Sequence, residues 1–421
     1  MNIKNSIDNP KECLQFIQDH LKPKEVEKKK YGEVFTPMSL VEEMLDKLPE
    51  EVWSNSELKW FDPANGMGNF PIAVYYRLMK GLSSKIKNEE KRKKHIIENM
   101  LYMSELNKKN CFMTKQIFDP EDKYQLNLFE GDTLDLDPKK EWSISTFNII
   151  MGNPPYQDFK GSSNGTLWDK FVLYSLKYLK DKGYITYVHP SGWRNVNGKF
   201  KKLQKIMFEK NIIYLEIHNE KEALSKFRAE TRFDWYLLQN TNKYKTTQIK
   251  FEDESIQNIN IRNFEFIPNG QFGLVQKLLA KKNEEKCEVL HSYSFYDPRK
   301  KWMSITKSEE HIYPCVYTIN NNDEIKSRYS SKNLGHIGKS KLMWSNGRIK
   351  SIGSVIDEDG VYGLTCFAYA IVDKIENLKN IKKAFDSQKF RKLMEHCAVG
   401  QLTVNYKIIA LFKKDFWREF I

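Results

Sequence analysis

Short apolar runs, each cut off by a glycine, a proline or an acid, alternate along the first 240 residues with longer stretches of helical periodicity. The short runs read as buried strands and the longer ones as amphipathic helices, since side chains repeat every second residue in a strand and every 3.6 in a helix. Strands are predicted at Trp60-Phe61, Leu101–Leu106, Leu126–Phe129, Phe147–Met151, Tyr184–Val188, Ile212–Ile217 and Trp235–Leu238. Between them, Leu40, Val41, Met44, Leu45 and Leu48 mark a helix that Thr36 or Ser39 can cap, with Pro37 near its first turn. A second helix follows Gly68. A third runs from Trp168 to Leu179, with Lys182-Gly183 as its stop signal. Strands alternating with helices predict an α/β fold built on an open parallel sheet of about seven strands.

After the polar segment Asn240–Thr247 the pattern changes. Strands become shorter, turns irregular, and Val372 to His396 reads as helix. The expected division is an N-terminal helix or arm over 1–30, a catalytic domain over 31–245 and an α+β domain over 246–421. In that last part lysines, arginines and aromatics are interleaved: Tyr293, Phe295, Tyr296, Arg299, Lys300, Lys301, Trp302, then Lys339, Lys341, Trp344 and Arg348. Such a surface suits phosphate contact and base stacking, or is the solvated face of an ordinary domain.

Composition narrows the classes. A chain of 421 residues is long for one core, and 40% hydrophobic residues suffice for folding. A formal charge of +13 favours a polyanionic partner, nucleic acid ahead of a membrane. Six cysteines without paired spacing argue against a zinc site or a disulfide framework. No signal peptide is recognisable and no apolar run approaches the ~18–20 residues of a membrane span, so a soluble, intracellular protein is expected.

The chemistry is concentrated where the predicted strands end. Phe147–Met151 runs into Gly152-Asn153-Pro154-Pro155-Tyr156, and prolines force the chain out of the sheet as a stiff loop. That loop offers the Asn153 amide and carbonyls beside an aromatic ring, suited to gripping a planar group that bears an NH₂, or else serves as a stiff βα turn. Trp60-Phe61 runs into Asp62-Pro63-Ala64-Asn65-Gly66-Met67-Gly68-Asn69-Phe70, whose glycines let a ligand approach the backbone. A carboxylate at that turn suits an ammonium group better than a pyrophosphate. Glu105 closes the next strand, where α/β nucleotide folds hold a ribose diol, and Asp132 follows the third.

This ordered series resembles the adenine-N6 DNA methyltransferases, in the group whose cofactor loop precedes the catalytic loop and whose target-recognition domain is C-terminal. The resemblance covers roughly the first 240 residues well and the remainder in general layout. It implies a Rossmann-like seven-stranded methyltransferase sheet, S-adenosyl-L-methionine as cofactor, no metal, and double-stranded DNA as partner. Gly32 to Pro37, with Phe35 and Thr36, looks like the first cofactor motif, and Asp62, Ala64, Gly66, Gly68 and Asn69 like the glycine-rich one. Glu105, followed by Leu106, stands at the ribose acid and Asp132 at the adenine acid; Thr133 departs from the aromatic residue usual there. Asn153, Pro154, Pro155 and Tyr156 match the catalytic loop, and Phe227, with Phe233 as rival, the aromatic against an everted base. A type II or IIG restriction–modification enzyme is implied, working in the bacterial cytoplasm or nucleoid or in a virus-infected cell, with room for a separate cognate endonuclease. Glutamine-N5 methylation of a protein and cytosine-N4 methylation of DNA pose the same chemical problem and stand as alternatives.

Overall fold

β1 (Trp60–Asp62) is buried along its whole length: Trp60 stacks on Trp53 of the short helix Glu50–Ser54, and Phe61 packs on Trp142 of the helix Pro138–Trp142. In the computed structural model the described residues are 35–157, 165–196, 198–228, 231–400 and 403–421. The expected helix and arm over 1–30, and positions 31–34 of the first cofactor motif, lie outside them. Two compact units divide the chain. The first closes at Trp193 and resumes over Lys199–Phe264; the second comprises Arg194–Gly198 and Glu265–Ile421.

In the first unit β1, β2 (Leu101–Glu105), β3 (Asn127–Glu130), β4 (Phe147–Gly152) and β5 (Leu179–Pro190) pair in parallel, in the order β3-β2-β1-β4-β5. β7 (Phe233–Gln239) lies antiparallel to β5 and to β6 (Asn211–His218). Seven strands were expected, and nine are present. β8 (Thr247–Lys250) pairs with β6, and β9 (Ile256–Ile259) with β8, so the first unit extends past residue 245 to Phe264. The polar run at 240–247 is a surface connection within one sheet. Its successor Thr247-Gln248-Ile249-Lys250 buries only alternate residues, a weak signal in four positions.

Strand order reverses between β1 and β4, and at such a switch point adjacent chains leave the sheet in opposite directions and open a crevice. Trp60 pairs with Ile149 and Phe61 with Ile150, which brings the ends of the two strands side by side. The helix Met38–Leu45 buries Met38, Leu40, Val41, Met44 and Leu45, as its spacing predicts. Its N-cap is Pro37, and neither Thr36 nor Ser39 caps it through a side chain. The helix Trp168–Tyr178 ends before Lys182-Gly183, and those two residues lie inside β5. The register there shifts between Phe147 and Ile149, and a Cβ at Gly183 would lie 2.7 Å from the Asn148 carbonyl. The glycine therefore serves a bulge in the strand, where the sequence suggested a helix stop.

The second unit holds two four-stranded sheets. One has the order β10 (Glu288–Leu290), β17 (Ala368–Val372), β14 (Lys341–Ser345), β15 (Ser354–Asp357). The other has the order β11 (Met303–Ser304), β13 (Ile325–Ser330), β12 (Tyr313–Ile319), β16 (Gly363–Leu364). Val316, Ile319, Met343, Leu364, Ala368 and Ala370 form a small core between them. Leu342, Trp344 and Ile371 join Leu378, Phe385 and Phe390 of the helices Ile375–Asp386 and Gln388–Cys397. Three members of the expected basic and aromatic surface are consequently interior: Tyr296, Lys341 and Trp344 are fully buried. Among the described residues no helix is long and apolar enough to cross a membrane.

Candidate active site

Asp62 sits at the end of β1 with 1% of its surface exposed. One carboxylate oxygen accepts the Ala64 N–H at 3.0 Å, which favours the ionised form. Burial outweighs that bond, and Glu105 adds repulsion, so the Asp62 carboxyl is pushed up to about 8. Near neutral pH it is largely a protonated acid awaiting a cation. Gly152, at the end of β4, makes this arrangement possible: a Cβ there would lie 2.8 Å from Asp62 Oδ1, and its φ of +149° suits glycine alone.

Between the ends of β1 and β2 the Gly66 N–H donates to Glu105 Oε2 at 2.7 Å, and the Asn107 N–H to Oε1 at 2.7 Å. Glu105 thus clamps the glycine turn to the start of the next helix, Lys108–Phe118. Gly66 has φ +54°, and a Cβ built on it meets nothing closer than the Ala64 carbonyl at 3.9 Å. The outer face of this turn is therefore open. Gly68 caps the helix Asn69–Gly81 in the left-handed conformation. Asn65 donates to Thr114 Oγ1 at 2.7 Å, and its own Oδ1 is buried without a partner.

The glycine turn and the Asn153–Tyr156 loop meet at Thr36. Asn69 Nδ2 donates to the Thr36 carbonyl at 2.7 Å, and Asn153 Nδ2 donates to Thr36 Oγ1 at 3.0 Å. Asn69 Oδ1 is buried without a hydrogen-bond partner. Asn153 and Pro155 are half-buried, Pro154 is buried, and Tyr156 is 8% exposed. Burial raises the Tyr156 phenol, and the neighbouring Asn153 side chain partly offsets that. The loop continues through Gln157, which bridges to Thr166, and the Tyr156 carbonyl accepts the Leu167 N–H at 3.2 Å. Phe35, half-buried, packs on the core beside this junction.

Asp132 accepts the Leu134 N–H at 3.0 Å and caps the short turn Thr133–Asp135. Thr133, which replaces the usual aromatic, is buried: its hydroxyl donates to the Pro63 carbonyl at 2.5 Å and lies 2.7 Å from Ser104 Oγ. It ties the β1 turn to the ends of β2 and β3, a role the sequence did not suggest. Leu106 is exposed at 38%. Phe227 is buried and packs edge-on against Phe233, which in turn stacks on His218. Both aromatic candidates therefore belong to the core of the first unit.

These residues fit S-adenosyl-L-methionine. A buried acid with no cation beside it among the described residues suits an ammonium group, Asn69 Oδ1 has no donor among them, and the open face at Gly66 admits a bulky ligand against the backbone. The family model for N-6 DNA methylases matches residues 20–286, well over half of the chain. The chain belongs to the N-6 DNA methylase family.

As a methyltransferase of this family it has relatives of known sequence and structure. It is 27% identical over 296 residues to an adenine-specific methylase of Mycoplasma pneumoniae, a match covering 51% of this chain and 68% of that one. The type IIL restriction–modification enzyme MmeI, solved with DNA, superposes at a TM-score of 0.54 and 12% identity over 92% of this chain and 69% of that one. The DrdV–DNA complex gives a TM-score of 0.53 and 12% identity over 98% and 58%. At such identities the likeness shows a shared fold. The chain spans little more than half of several solved relatives, 57% of a type I modification subunit from Vibrio vulnificus among them.

Proposed function

We propose that this methyltransferase acts on the N6 amino group of adenine in duplex DNA, drawing the methyl group from S-adenosyl-L-methionine, in a restriction–modification setting. The observation that carries the reading is the junction at Thr36, which fixes the acceptor amide of Asn153 beside the turn that would hold the cofactor. Asp62 and the Asn69 side-chain oxygen would take the ammonium of the methionine end, Thr36 its carboxylate, Glu105 the ribose and Asp132 the adenine ring. When bound, the cofactor supplies a methyl group made electrophilic by its sulfonium.

The acceptor is the harder half, since the adenine amino lone pair is delocalised into the ring. Asn153 Oδ1 and the Pro154 carbonyl would accept the two amino hydrogens and favour a pyramidal, nucleophilic nitrogen. These bonds strengthen as the nitrogen becomes cationic, so they lower the barrier instead of only tightening binding. A base inside the duplex cannot reach this loop, so it must be everted, and Tyr156 would stack on it. Everted-base contact by Phe227 requires it to leave its packing on Phe233. The second unit is assigned to DNA recognition; DNA-bound structures among the enzymes sharing this fold support that assignment. A separate endonuclease and residence in the cytoplasm follow from the same reading.

Asn153→Ala is expected to lower methyl transfer at least about 100-fold while the cofactor Kd moves less than about threefold. Nucleoside mass spectrometry of reacted DNA, with calorimetry for the cofactor, measures both. N4-methylcytosine in the parent digest, or methyl label in protein in place of DNA, would replace this reading with one of its chemical neighbours.

A further inference from the structure

We propose that Thr36 is a positioning residue: it selects which end of the Asn153 amide faces the reacting amine, and so couples capture of the methyl donor to presentation of the acceptor. The inference rests on the function proposed above. A carboxamide is nearly isosteric about its flip, yet its two ends act oppositely. Oδ1 turned to the amine accepts hydrogens and enriches the nitrogen, whereas Nδ2 turned to it would aim donors at the lone pair and deplete it. The rate therefore depends on a choice of orientation that shape alone does not make.

Thr36 makes that choice. Its Oγ1 stands 3.0 Å from Asn153 Nδ2 and accepts its hydrogen. With the nitrogen end engaged by the Thr36 hydroxyl, the oxygen end is the one turned away from it. A hydroxyl can donate as well as accept, so Thr36 enforces this orientation only while its own hydrogen points elsewhere. The second hydrogen bond on this residue indicates where. Asn69 Nδ2 holds the Thr36 carbonyl at 2.7 Å, which places residue 36 at the rim of the glycine turn, and Thr36 is only 6% exposed. A carboxylate bound at this rim takes the hydroxyl hydrogen and leaves the lone pairs for Asn153. Without that anion the hydroxyl can rotate, and either amide orientation has a partner.

The test compares Thr36→Val, which keeps the shape and removes the hydroxyl, with Thr36→Ser, which keeps the hydroxyl and removes the methyl. Thr36→Val should lower kcat about 10- to 100-fold with KM for DNA unchanged, and Thr36→Ser should recover most of the loss. A readout independent of turnover is the Asn153 side-chain ¹⁵N–¹H pair, assigned by its loss in Asn153→Ala. In the parent its two protons should become sharper and more protected from exchange when the cofactor is added, and in Thr36→Val they should not respond. Equal kcat for Thr36→Val and parent, or a serine variant as slow as the valine one, would overturn the proposal. So would an Asn153 signal that answers the cofactor equally in parent and Thr36→Val. Should the parent modify no adenine, the function above fails, while the resonance comparison still judges the coupling between Thr36 and Asn153.

Discussion

Asp62 carries a conflict between stability and function. Its carboxyl, pushed up to about 8 by burial with Glu105 nearby, titrates far above the 3.8 of the unfolded chain. Between those two values the folded state holds a proton that the unfolded state has released. This group therefore destabilises the free protein progressively as pH rises from about 4 to about 8, by an amount reaching several kcal/mol. Asp62→Asn should flatten that part of the stability profile, leaving the free variant more resistant to urea than the parent at pH 8 to 9. It should also lose the partner for an ammonium group and bind cofactor more weakly. Urea titrations across pH and calorimetry with the cofactor check both halves, and parallel profiles for variant and parent would show that Asp62 does not carry the effect. The composition of the Asp62-Pro63-Ala64 turn shows that an acid stands there. That it is neutral follows only from its surroundings.

At the scale of elements, the ends of β1, β2, β3 and β4 were legible because a glycine, a proline or an acid interrupts an apolar run. β14 was misleading. Lys341-Leu342-Met343-Trp344-Ser345 reads as a surface with a lysine and an aromatic, yet all five residues are buried, because the strand is covered on both faces. Lys341 is accommodated by pairing: its Nζ donates to Asp357 Oδ2 at 2.6 Å, across the β14–β15 register, with the two side chains 0% and 3% exposed. Asp357 also accepts the Val361 and Tyr362 N–H groups. Burial lowers the lysine's affinity for its proton, and Asp357 opposes that. Asp357→Ala would leave a buried cation alone and is expected to cost about 3–5 kcal/mol, whereas Lys341→Met with Asp357→Leu should cost much less. Denaturant titration of the two variants gives the comparison; equal losses would mean that the pair is no more than ordinary packing.

For the molecule as a whole, the +13 charge was a compositional fact without an address. Part of it now has one, on the outward side of the sheet β11-β13-β12-β16. Ile325 turns to the small core between the sheets, so alternation sends Lys326 and Arg328 outward. Arg328 lies 4.5 Å from the Tyr317 ring centre, and Lys332 lies 5.0 Å from that of Trp302. Phe367 meets the same Tyr317 edge-on. Neither Arg328 nor Lys332 forms an ion pair among the described residues, so both are available to phosphate. Arg328→Ala with Lys332→Ala should reduce the slope of log Kd against log salt for duplex DNA by about 2, since each lost phosphate contact removes roughly 0.9. Fluorescence anisotropy across a salt series measures it, and an unchanged slope would move the DNA contact to another face.

The sequence by itself determined the α/β class, the order of the strand-end motifs and the identity of the acids and amides they carry. Those properties are local: a period of two or 3.6, and a residue that ends it. It could not determine what meets what. Thr36 and Asn153 are 117 positions apart in the chain, and their hydrogen bond exists only because Asn69 holds the segment ahead of helix Met38–Leu45 at the turn after β1, which the strand order brings beside the loop after β4. Nor could it fix the protonation of Asp62, the interior position of Lys341 or the attachment of β8 and β9 to the first sheet. Each depends on burial and on partners far away in sequence, and the tertiary structure alone supplies those.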